Sequence, residues 1–545
     1  MRIPSLLARG NPRQNLLVAL CLGGLLLLGL LIWRDYAISF DAGQSRNIGM
    51  INLRYVLEKV NLGFLQDSLQ HQAFSYHTTP LPEFQDRDYG VAFELPVTLG
   101  ERLLRLSETR AIYLFRHLCT FLVSYAGLLA LFGLGRRRYG GDWRMGLAAA
   151  GLLVLSPRLF GEFFYNDKDA VFMALSTIAT YTTVRFAEQP TGRWAILHAL
   201  ACAIAIDVRI MAVLWPAATL ALVAVRWVRG EYAARPAGQR SLAVLLYAAL
   251  LPALVVAFWP YLWDAPWANF QQAFNNMRHF RWVGGIWYHR HLVWSDNLPW
   301  HYAPQWILVT TPLLQVGLFL IGLAVVGRQL VRHRWWGYQL GTRQWQDALF
   351  LVLGLAPIVA VIVLHSVLYD GWRQLYFVYP SLLLVALRGL VALWRWLATR
   401  PLRQQRLAVG LLALGALSTA GQMVWMHPLE SLYFNSLAGQ HGNERYECDY
   451  WCISFGEGLK WVLAHDSRPV LRVCTTARMM APLLGNREML LEADRKRIVL
   501  VENPSEADYF LGNYRWHNYR FDLPNHVHDV QASQAVALSI YRLTW

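Results

Sequence analysis

Apolar runs of about the length that carries a helix across a bilayer core recur along this chain. They lie at 15–33, 111–134, 145–160, 169–184, 194–207, 209–225, 241–259, 305–327, 347–367, 376–394 and 407–425. The pattern predicts a polytopic α-helical membrane protein of about eleven transmembrane helices. The stretch 194–225 decides how the later loops are placed. One long helix there would put Arg193 and Arg226 on opposite sides, whereas two short spans with a turn at Asp207-Val208-Arg209 keep the basic loops together.

Those basic loops set the orientation. Arg2, Arg9 and Arg13 precede the first run, and Arg136–Arg138, Arg185/Arg193, Arg226/Arg229/Arg235/Arg240, Arg328/Arg332/Arg334 and Arg395/Arg400/Arg403/Arg406 fall on the same side of this topology. Excess Arg marks the cytoplasmic side. The expected organisation is a cytoplasmic N-terminus at 1–14 and a transmembrane module at 15–425. Outer loops fall at 34–110, 157–168, 260–304 and 368–375, and an extracytoplasmic domain follows at 426–545. The first run lacks a clear small-residue cleavage site and reads as an uncleaved helix.

Outside the spans, the apolar spacing of 47–70 suggests a helix along the membrane surface, and 99–110 suggests another. Pro80, Pro82 and Pro96 interrupt this first loop. The tail is less apolar, and β-rich runs at 469–475 and 497–501 predict a small α/β or α+β domain. Its location suggests a part in acceptor choice. No internal repeat is evident.

Composition agrees with a membrane class. The chain has 545 residues, 55% hydrophobic and only 16% charged, which excludes an ordinary soluble domain and a disordered chain. The net charge of +15 does not indicate nucleic-acid binding, because the basic residues are dispersed over short loops. Cys448, Cys452 and Cys474 lie in the outer tail, where a disulfide such as Cys448–Cys452 could form.

Candidate chemistry lies where charge meets the span ends. Asp41, Asp167-Lys168-Asp169, Asp207, Arg209, Asp370 and Arg373 all fall on the outer side of this topology. Charge next to hydrocarbon is costly and marks a site by default. Asp41 can be a general base or a helix-end residue. Asp167 and Asp169 can cap the following helix, and Glu162, Asp167 and Asp169 are weak candidates for a divalent cation. Arg209 and Arg373 suit an anion or pair with Asp207 and Asp370. Among the aromatic residues of 260–304, an interfacial belt in part, lie His289, Arg290, His291 and His301, suited to a sugar or headgroup.

Several segments together resemble bacterial membrane glycosyltransferases of family 39 type. These are relatives of the protein O-mannosyltransferases and aminoarabinose transferases within the C-type superfamily. The residues are Ser156-Pro-Arg158-Leu-Phe-Gly-Glu162-Phe-Phe-Tyr-Asn166-Asp-Lys-Asp169, Asp207-Val-Arg209, Tyr369-Asp-Gly-Trp-Arg-Gln-Leu-Tyr376-Phe-Val-Tyr-Pro380, and His427-Pro-Leu-Glu-Ser-Leu-Tyr-Phe-Asn435. The similarity runs from the first span to Asp449-Tyr450-Trp451, and residues after about 470 match nothing in it.

The resemblance implies a polyprenyl-monophosphate sugar as donor and inversion at the anomeric carbon. It makes Asp41 the base and places Arg373, Arg209 and Lys168 at the donor phosphate. Arg158, Glu162, Asn166, Asp167, Asp169, Asp207, Asp370, Tyr376, His289 and His291 are then substrate-binding or structural. The family often has a second acid where Ala42 stands, and a His where Gln374 stands. No cofactor is firmly implied, and a divalent metal ion stays open. The expected partners are the lipid-linked donor, an envelope glycan, lipid or protein acceptor, and membrane lipids, at the bacterial cytoplasmic (inner) membrane. A transporter or flippase of isoprenoid-linked glycans and a glycan-binding scaffold are the other readings.

Overall fold

The computed structural model describes residues 11–62, 79–232, 237–278, 280–332, 343–439, 442–517, 519–533 and 535–543. Arg2, Arg9, Arg235 and Arg334, and the 63–70 part of the expected surface helix, lie outside the described residues.

Among the described residues nine helices are long and apolar enough to span a membrane: Pro12–Ile32, Thr109–Arg138, Asp169–Glu188, Ile210–Val228, Gly238–Phe258, Leu313–Arg332, Trp345–Val363, Arg373–Leu397 and Leu402–Met426. The chain is a multi-pass membrane protein. Of the about eleven expected runs, those at 145–160 and 194–207 are not among the nine, although the expected break at Asp207–Arg209 is present. The run at 145–160 forms two helices, Trp143–Val154 and Pro157–Tyr165, bent by 78°. Pro157 lacks an N–H and disfavours helix in Ser156 before it. The run at 194–207 is the helix Gly192–Val208, 17 residues long and at the lower limit for a crossing. It ends at Arg209, which is extended (φ −148°, ψ 122°) before a 3₁₀ turn opens the next span. The run expected at 305–327 also divides, into Tyr302–Thr310 and Leu313–Arg332, with Pro312 at the break.

Two central spans approach through glycine. A Cβ on Gly322 would collide with the Val385 carbonyl, and one on Gly389 with the Leu318 carbonyl. Lipid offers no hydrophobic drive between helices, so backbone proximity of this kind does the packing.

In the first outer loop the helix Ala42–Lys59 buries Ile48, Ile51 and Tyr55 against Leu81, Phe84 and Val91. Its apolar face is thus covered by protein, which explains the helical spacing without a membrane surface. The second expected surface helix runs earlier, at Glu94–Leu103.

The tail forms a mixed α/β unit. Its five-stranded sheet has the order Ile498–Leu500, Leu471–Cys474, Tyr509–Asn513, Ala535–Arg542, His526–Ala532. The first three strands are parallel and the last two join antiparallel. The helix Ser454–His465 packs on it, with Gly458 against Leu511 and Leu538. One apolar core continues from the spans through Tyr450, Trp451 and Phe455 into this sheet. All six cysteines are free. Cys452 meets the Met479 sulfur instead of Cys448, so the suggested bridge is absent.

Candidate functional site

The site is built around Arg373, the first residue of a 3₁₀ turn that opens the span ending at Leu397. Asp370 and Gly371 before it have φ of +54° and +74°, a left-handed bend that glycine adopts freely. The bend places Asp370 three residues from Arg373 with Oδ2 3.0 Å from Nη2. Nη1 of Arg373 reaches Asp41 at 2.9 Å and Asp169 at 3.2 Å. One guanidinium therefore gathers three carboxylates from three different span ends. It also lies over the rings of Tyr369 and Trp451, at 4.9 and 4.7 Å.

The three carboxylates differ in access. The Asp169 and Asp370 side chains are 1% and 3% exposed, whereas Asp41 is 40% exposed. Asp41 occupies the N-cap of the Ala42–Lys59 helix but makes no side-chain cap bond. Its carboxylate turns to Arg373 instead, which disfavours the helix-end reading. Burial works to raise its pKa, but Arg373, Arg515 and Lys168 outweigh this and hold it below the usual carboxylate value. Burial pushes Asp370 up, against the pull of Arg515 and Arg373.

Arg209 donates to Asp169, not to Asp207 as one reading of the sequence had it. The extended backbone at Arg209 points the two side chains to different partners. Asp207 accepts the Ala92 backbone N–H at 2.5 Å, and Gly90 lets the loop come this close, since a Cβ there would strike the Asp207 carbonyl. The Nε groups of Arg209 and Arg373 have no acceptor among the described residues. Lys168 lies with its ammonium 3.7 Å from the centre of the Tyr89 ring. Burial and then Arg209 lower its pKa. Among the described residues no carboxylate forms an ion pair with it, although Asp167 and Asp41 are close enough to be felt electrostatically.

Asn166, rather than Asp167 or Asp169, caps the Asp169–Glu188 helix. Its Oδ1 accepts the backbone N–H of Asp169 at 2.7 Å and of Lys168 at 3.3 Å, and its Nδ2 donates to Glu162 at 2.6 Å. The neutral amide both accepts and donates here, and a carboxylate could not. Glu162 also accepts the Tyr376 hydroxyl at 2.8 Å. Arg158 bonds the Tyr450 hydroxyl and the Tyr433 carbonyl, both at 3.2 Å. These residues hold the Pro157–Tyr165 helix against the loop after the last span. Asp167 accepts from Ser45 Oγ at 3.0 Å. Glu162, Asp167 and Asp169 thus have separate partners and do not converge as a cation's ligands. Among the described residues no group of three or more His, Cys, Asp or Glu side chains is placed to hold a metal ion.

His289 and His291 flank Arg290 at an exposed hairpin turn between Gly285–Tyr288 and His291–Trp294. His289 contacts the rings of Tyr288, His301 and Tyr446. The structure does not bring these histidines to the Arg373 cluster.

Two parts of the site were not read from the sequence. One is Arg515 of the tail, which donates to both Asp370 oxygens at 3.2 Å. The other is a buried network beside Asp167: Arg116 with Glu94 and Glu101, and Arg46 with Glu101. Arg116 interrupts an apolar run and could have been noticed; Arg515 carries no comparable signal.

Residues 102–261 match the family model of the dolichyl-phosphate-mannose-protein mannosyltransferases. That segment includes Arg158, Glu162, Lys168, Asp169, Asp207 and Arg209. No curated protein matches the chain. Among solved structures it is similar to ArnT from Cupriavidus metallidurans in the apo state, with 12% identity over 95% of this chain and 98% of that one, at a TM-score of 0.48. ArnT bound to undecaprenyl phosphate matches over the same shares at 12% identity and a TM-score of 0.46. The archaeal oligosaccharyltransferase AglB from Archaeoglobus fulgidus, in complex with an inhibitory peptide and a dolichol-phosphate, matches at 12% identity over 88% of this chain and 66% of that one, with a TM-score of 0.44.

Proposed function

We propose that the chain is an inverting glycosyltransferase. It moves a sugar from a polyprenyl-monophosphate donor to a hydroxyl acceptor on an envelope glycan, lipid or protein, at the outer face of the bacterial cytoplasmic membrane. The N-terminus is cytoplasmic and the tail extracytoplasmic in this reading. The family match over 102–261 supports the reaction class. The observation that carries the site is the Arg373 cluster, in which a fixed guanidinium holds three carboxylates and only Asp41 is open to an acceptor.

The donor phosphate takes a place on Arg373, with Arg209 and Lys168 beside it. Arg373 then exchanges its bond to Asp41 for one to a phosphate oxygen. Asp41 loses the partner that contributes most to lowering its pKa and becomes a stronger base. It removes the acceptor's proton as the acceptor oxygen attacks the anomeric carbon. The bond from that carbon to the phosphate oxygen breaks on the opposite face, and the configuration inverts. Charge grows on the departing polyprenyl phosphate, and cations already oriented by Asp169 and Asp370 stabilise it without reorganising. No step is assigned to a metal ion. Transport of isoprenoid-linked glycans gains no support from the family match.

The test is release of polyprenyl phosphate in proteoliposomes from a panel of polyprenyl-monophosphate sugars, with envelope extract as acceptor source. One donor is expected to be consumed by the wild type. Asp41→Asn should lose about 10²- to 10⁴-fold in kcat, the range for a positioned general base, and Arg373→Ala should be inactive. Undiminished turnover by folded Asp41→Asn would overturn its assignment, and no release from any donor would overturn the reaction class.

A further inference from the structure

The tail's central strand Tyr509–Asn513 leads directly into a turn carrying Arg515 and Trp516. Arg515 is buried, and its guanidinium leaves its own domain's sheet. Nη2 reaches both oxygens of Asp370 at 3.2 Å, while Nη1 donates to the Tyr450 carbonyl. The same group lies 4.1 Å from the centre of the Phe40 ring and 4.4 Å from that of Trp516. Phe40 immediately precedes Asp41, and its ring meets Trp516 edge-on. Trp516 has φ +59°, a strained conformation for a bulky residue that only surrounding packing can hold.

We infer that the tail domain completes the donor site: Arg515 is a positioning residue that fixes the Asp370 carboxylate and, through it, the orientation of the Arg373 guanidinium. The inference deepens the proposed glycosyl transfer and rests on it. Asp370 Oδ2 is shared between Arg373 and Arg515, so rotation of that carboxylate would turn both. Arg515 is held from two sides by stacking and a carbonyl bond, which makes it a rigid reference. A planar fork serves the carboxylate and the carbonyl from two nitrogens in fixed geometry, whereas an ammonium must serve both from one. Arg515 is also the largest influence opposing the upward push of burial on Asp370.

A docking role alone would lower stability without a kinetic signature. Wild type, Arg515→Met, Arg515→Lys, Asp370→Asn and the Arg515→Met/Asp370→Asn double variant are therefore compared in the proteoliposome assay, each after its thermal midpoint has been measured. Arg515→Met is expected to lose about 100-fold in kcat, the scale of an ångström's misplacement, with the acid limb of its rate profile moved to higher pH. Arg515→Lys should recover part of the rate. The double variant should be no slower than Asp370→Asn, because both substitutions remove one interaction. Losses that multiply, or unaltered kcat, KM and pH profile in folded Arg515→Met, overturn the inference. If Arg515→Met does not fold, unaltered kcat and KM in folded Arg515→Lys do so. A wild type that releases no phosphate from any donor fails the parent reading first and takes the inference with it.

Discussion

His427 stands at the end of the last span with Nε2 3.0 Å from Asp35 and Nδ1 2.7 Å from Glu430. It thereby ties the exit of the first helix to the start of the tail. Burial lowers its pKa, but Glu430 and Asp35 prevail and raise it to about 9. The unfolded value is about 6.5, so the stabilisation is complete below pH ~6.5 and is lost as pH rises through about 9. The thermal midpoint in detergent should fall between pH 6 and 9.5. His427→Gln should melt lower than wild type at pH 6 and change less with pH; equal pH slopes would remove His427 from the account. At this scale the sequence was legible where a charge stood at a span end, as for Asp41, Asp169 and Arg373. Of the two expected pairs, Arg373 with Asp370 is present and Arg209 with Asp207 is not. Arg209 chooses Asp169 over its near neighbour Asp207 because of one extended residue, and hydropathy does not register backbone direction. Arg515 sits in the part of the tail, after about 470, that resembled nothing.

At the scale of elements, the crossing of Leu313–Arg332 with Arg373–Leu397 rests on Gly322 and Gly389. Gly389→Leu drives a side chain into the Leu318 carbonyl and should cost at least the ~1–3 kcal/mol of overpacking in a dense core. Gly410 has no atom within 4 Å of its added Cβ, so Gly410→Leu is the matched control. A thermal midpoint lowered only in Gly389→Leu is the expected result, and equal midpoints would show that the helices can separate there. Apolar runs located most helices, and the break at Asp207–Arg209 was read, but two other breaks inside runs were not. A hydropathy window averages over Pro157 and Pro312, where the chain divides. The surface helix at 47–70 was misread for a related reason: its apolar face is real, but Leu81, Phe84 and Val91 cover it. The α/β character of the tail was legible from β-rich runs, which became the strands Leu471–Cys474 and Ile498–Leu500.

On the scale of the molecule, spans remote in sequence and the tail deliver a compact electrostatic centre. Arg373, Arg515 and Arg209 engage Asp41, Asp169 and Asp370, so the hydrogen-bonded set is formally neutral. Lys168 is a further cation beside it, with Asp167 as well as Asp41 acting on it. In the proposed transfer the donor phosphodiester carries one negative charge and lies among these cations. The product, a phosphate monoester, approaches two negative charges near neutral pH. In the proposed transfer Asp41 ends protonated while the lipid phosphate gains charge, so the cations are expected to hold the product more firmly than the donor. Departure of the spent lipid, rather than bond cleavage, is then expected to set the steady-state pace, and rapid-mixing records should show a first turnover faster than those that follow. Added polyprenyl phosphate should compete with the donor, and Lys168→Met should relieve that competition while raising the donor KM. A linear time course from the first turnover, indifferent to added product, would show that the lipid leaves freely.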